Sequence, residues 1–147
     1  MSLSNVAEQA FLDLLFLNTD WTGIGDAGGL RGAVAAGSFY VALHTADPGE
    51  TGAAQTTSEC TLGGYARQPL ARSAAGFSRS GSTIANVPQV TFPEVTSGSE
   101  TITHYSVGVA ASGAGQILYR AALTTPRLFS AGFTPIFPAA SLGGTMD

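Results

Sequence analysis

Between residues 5 and 17 the chain reads NVAEQAFLDLLFL, and Val6, Ala10, Phe11, Leu14 and Leu15 recur at helical spacing. Phe16 and Leu17 widen that stripe. The pattern predicts one helix, with Asn5 as its N-cap and Glu8 three residues on as a capping box. From Ser38 the period changes to two. In the strand predicted at 38–45, Phe39, Val41 and Leu43 share one face and Tyr40, Ala42 and His44 the other. Both faces are largely apolar, as suits a strand covered on both sides. TITHYSVGVA (101–110) and GQILYRAAL (115–123) alternate similarly, and the SGAG between them predicts a hairpin. Further strands are predicted at 65–71, 82–86, 89–92, 127–130 and 133–137, each bounded by Gly, Pro, Ser or Asn. Pro135 and Pro138 place the last on an edge or interrupt it. Short strands at a spacing of about ten residues predict an all-β fold, a jelly-roll-like β-sandwich with an N-terminal helix. Residues 1–37 then hold the helix and a Gly-rich connection, and 38–147 the sandwich, within one domain overall.

The connection, NTDWTGIGDAGGLRGAVAAG (18–37), reads as irregular with a short helical turn. Trp21 is the only tryptophan. It suits either a core plug or an interface anchor, since Trp serves both roles. The helix stripe is broad for one that covers only its own sandwich. One reading packs it inward; the other docks part of it on a partner. Val6, Phe11, Leu14, Leu15, Phe16 and Trp21 are the candidate partner-interface residues.

Composition sharpens the second reading. Charged residues make up 11% of the 147, where roughly 25% is usual. All six basic residues are Arg, with no Lys. Lys guards exposed strand edges and is depleted in interfaces, whereas Arg is enriched there. The net charge of −4 argues against a nucleic-acid partner, which needs a basic face. Seven acids and one Arg lie in residues 1–59, while Arg67, Arg72 and Arg79 stand without an acid in 60–93. Such unlike patches either steer assembly of identical copies or pair within the fold. Cys60 stands alone, which excludes an internal disulfide and predicts a free structural thiol in a reducing cytosol. The N-terminus carries no basic leader region, and no apolar run is long enough to span a bilayer, so no membrane partner is expected.

Candidate chemistry is sparse. His44, Asp47 and Glu50 lie close in sequence, but calcium-loop spacing and multiple zinc ligands are missing. Asp47-Pro48-Gly49 instead predicts a type II turn with solvated acids, and Gly52 opens the loop after it. No nucleophile elbow, phosphate loop or dinucleotide fingerprint is present. No catalytic, metal-binding or cofactor-binding residue is assigned, and no enzymatic activity is expected.

FYVALHTADPGETG (39–52), GGYARQPLA (63–71), VTFP (90–93) and THYSVGVAASGAGQILYRAALTTPRLFSAGFTPIF (103–137) together resemble a family of small tailed-phage virion structural proteins. The resemblance spans residues 38–137. More narrowly, size and layout look like a jelly-roll capsid cement, or decoration, protein of podovirus-type phages. That likeness implies a place on the capsid exterior, clamping the major capsid protein, with other copies of the chain as further partners in a dimer. A tail or tail-fibre component is the alternative. A glycan-binding module using Trp21, Tyr65 or Tyr105 is the second.

Overall fold

The computed structural model of the chain describes residues 2–26, 28–50 and 54–146. The loop opening at Gly52 lies outside them. The elements are α1 (Asn5–Phe16), β1 (Ser38–His44), β2 (Gln68–Ala71), β3 (Phe77–Ser80), β4 (Thr83–Asn86), β5 (Val90–Thr91), β6 (Ser99–Gly108), β7 (Ile117–Ser130), β8 (Ile136–Phe137) and β9 (Gly143–Thr145). The architecture is all-β and sandwich-class, built on antiparallel sheets with one N-terminal helix, as the pattern predicts. Two compact units are distinguished, one of residues 1–38, 70–88 and 138–147, the other of 39–69 and 89–137.

In the first unit α1 begins at Asn5 because Ser4, not Asn5, is the N-cap. Ser4 is extended, and its hydroxyl accepts from the Ala7 N–H. Glu8 is therefore no capping-box partner; it is buried and accepts a hydrogen bond from Ser82 Oγ at 2.5 Å. The buried stripe is Glu8, Leu12 and Phe16, at i, i+4 and i+8. Phe16 packs on Phe77 with ring centroids 5.2 Å apart, and Leu70, Ile84 and Leu142 complete this core. Burying Leu12 and Phe16 contributes about 2–3 kcal/mol each. The last helical turn carries no basic residue. Arg72 supplies the charge from outside the helix, donating Nε to the Leu15 carbonyl and Nη2 to that of Leu14, both at 2.6 Å. Arg79 reaches Asp13 at 2.5 Å.

The sheet of this unit has the order β3-β4-β9. Neither β3 (FSRS) nor β9 (GGT) belongs to the predicted set, because neither alternates apolar with polar residues. Tertiary anchoring makes β9. Buried Asn86 donates Nδ2 to the Pro138 carbonyl at 3.0 Å, and its Oδ1 accepts from the Leu142 N–H at 2.8 Å. The stretch before β9 is thereby held against β4. Among the described residues of 18–37 the predicted helical turn does not form; Trp21 and Leu30 instead exchange backbone hydrogen bonds of 2.8 and 3.0 Å.

In the second unit β1, β6 and β7 are neighbours in that order in one sheet. Residues 41–44 of β1 are all buried, so the strand is covered on both faces as predicted. It runs antiparallel to β6 in the register Leu43↔Tyr105 and His44↔His104. β6 and β7 form the predicted hairpin. The strands predicted at 115–123 and 127–130 are one strand. Its register with β6 jumps from Ile102↔Arg127 to His104↔Ala122. Leu123–Pro126 is thus a bulge that accommodates Pro126, which explains why the sequence reads as two strands. Val41, Leu43, Phe92, Ile102, Tyr105, Val107 and Phe129 make the core here. No helix among the described residues is long and apolar enough to cross a membrane.

Candidate functional site

The residues assigned to a partner interface separate. Phe16 is core, and Leu14, Leu15 and Trp21 are half-buried. Only Val6 and Phe11 stay outside, 77% and 39% exposed. Leu3, absent from that set, is exposed with them. Sequence periodicity locates an apolar stripe, but a helix apolar on two sides does not say which side its own core takes.

His44, Asp47 and Glu50 also part company. His44 points inward and is fully buried. Its Nδ1 lies 2.9 Å from the Thr57 carbonyl and its Nε2 2.8 Å from Ser106 Oγ. A carbonyl can only accept, so Nδ1 carries the proton and Nε2 accepts from the hydroxyl. Burial holds this imidazole below its ordinary value, against the raising effect of the Thr57 carbonyl. Asp47 forms the predicted turn: its Oδ1 accepts from the Gly49 N–H at 2.9 Å, and Gly49 takes φ +81°, open to glycine without strain. The acids do not stand alone in solvent. Arg120 on β7 lies between them, 3.0 Å from Asp47 and 3.3 Å from Glu50.

Glu50 and Arg120 line an open groove of about 720 Å³ together with Ala54, Gly115, Gln116, Ile117 and Tyr119. Two buried polar side chains hold its wall. Gln55 donates Nε2 to the Tyr40 carbonyl at 3.2 Å and accepts from the Ala110 N–H at 2.9 Å, while its backbone N–H donates to Gly115. A Cβ on Gly115 would fall 2.4 Å from the Gln55 amide oxygen, so only glycine fits there. Arg67 donates to the carbonyls of Ala110 and Gly113 at 2.9 and 2.8 Å. It also forks onto Glu59, which accepts the Tyr65 hydroxyl hydrogen at 2.9 Å. The sequence hints at this network only through an Arg inside the apolar-flanked YARQPL. Cys60, beside it, is a buried free thiol. Burial pushes it up to about 11, with the Glu100 carboxylate acting in the same direction.

Among the described residues no group of three or more His, Cys, Asp or Glu side chains is placed to hold a metal ion. Two aromatics named for glycan stacking are engaged in the fold. Tyr105 is core, and the Tyr65 ring stacks on Phe92 at 6.0 Å.

A family model described as podophage GP4 fiber I protein gp80 matches residues 2–145. The chain belongs to this family. It is accordingly a phage structural protein and a virion component. The match extends the tailed-phage likeness of residues 38–137 over the helix and the C-terminal strand. The family's description names a fibre, which favours the tail-fibre alternative over the capsid cement reading. No curated protein matches the chain.

Proposed function

We propose that this chain is a non-catalytic structural component of a podophage tail fibre. The observation that carries the reading is the match of a fibre-protein family over residues 2–145. The physical features agree with such a part. Some of its charges are paired within each unit: Asp13 with Arg79, Glu59 with Arg67, and Asp47 and Glu50 with Arg120. Two of these pairs, Asp13–Arg79 and Glu59–Arg67, join the acidic block of the sequence to the basic one. The surface left for partners includes exposed Leu3, just before α1, and exposed Val6 and Phe11 on it. Its partners in this reading are other virion proteins and further copies of itself, not the major capsid protein.

Particle location tests the proposal. Antibody raised against the chain and bound to intact virions labels the tail in electron micrographs, and quantitative mass spectrometry finds few copies per particle. Labelling spread over the shell, with a copy number that follows the capsid subunits, returns the protein to the cement role.

A further inference from the structure

We draw no further inference here: the strongest candidate, the exposed apolar patch of Val6 and Phe11 on α1 with Leu3 just before it, carries no proposal because nothing in the structure shows what covers it.

Discussion

Arg67 donates Nε to one oxygen of Glu59 at 2.6 Å and Nη2 to the other at 2.7 Å, and the two side chains are only 2% and 16% exposed. The hydrogen bonds to Glu59 hold the guanidinium above its ordinary value, against burial. Removing one partner leaves a buried charge without its counter-ion, which costs about 3–5 kcal/mol. Arg67→Met is therefore expected to lower the urea midpoint sharply. Adding Glu59→Leu to it should recover part of the loss. Additive losses in that double-mutant cycle contradict the coupling.

Acid weakens the fold. The unfolded chain takes up a proton on His44 as pH falls through 6.5, while the folded, buried imidazole resists it, so stability is full above that pH and declines below it. Glu100 adds to the loss at lower pH. Burial raises its carboxyl, but the hydrogen bonds from the Thr61 hydroxyl and N–H outweigh this and hold it below 4.5. Its contribution is present above 4.5 and fades as pH falls through the folded value. Tm measured at pH 7.5 and pH 5.5 should drop. His44→Asn should melt lower at pH 7.5 but lose less between the two. An equal pH-dependent drop in the variant would assign the effect elsewhere.

Cys60 should be silent toward thiol reagents until the protein opens. A thiol near 11 leaves about one part in a thousand ionised at pH 8, and burial blocks access to that fraction. Labelling by a disulfide reagent is expected to follow the unfolding transition in urea. Fast stoichiometric labelling of native protein would show the site to be open.

The two sides of α1 should respond differently. Phe16→Ala removes a core ring and is expected to cost about 3–5 kcal/mol. Val6→Ser on the exposed side should stay within about 0.5 kcal/mol. Arg72→Ala should destabilise too, since the carbonyls of Leu14 and Leu15 lose their donor. Deleting residues 1–20 is expected to abolish cooperative folding of the first unit, because Leu12 and Phe16 are part of its core. A truncated chain with an unchanged melt would make the helix a detachable anchor.

Local pattern was enough for the elements that carry their own periodicity. The helix at its near-correct ends, β1 buried on both faces, the β6–β7 hairpin and the Asp47-Pro48-Gly49 turn follow from spacing and from backbone preference alone. Tertiary structure decided what pattern leaves degenerate. A helix with apolar residues on several sides can bury any of them, and packing of Phe16 on Phe77 chose the Leu12 side over Val6 and Phe11. FSRS and GGT have no apolar alternation, and they became strands because β4 offered them hydrogen-bonding partners. The candidate site was least legible. Asp47 and Glu50 are local in sequence, but Arg120 reaches them only because the hairpin returns β7 to that turn. Charge pairing over such separations is fixed by strand register, and register is a property of the folded sheet.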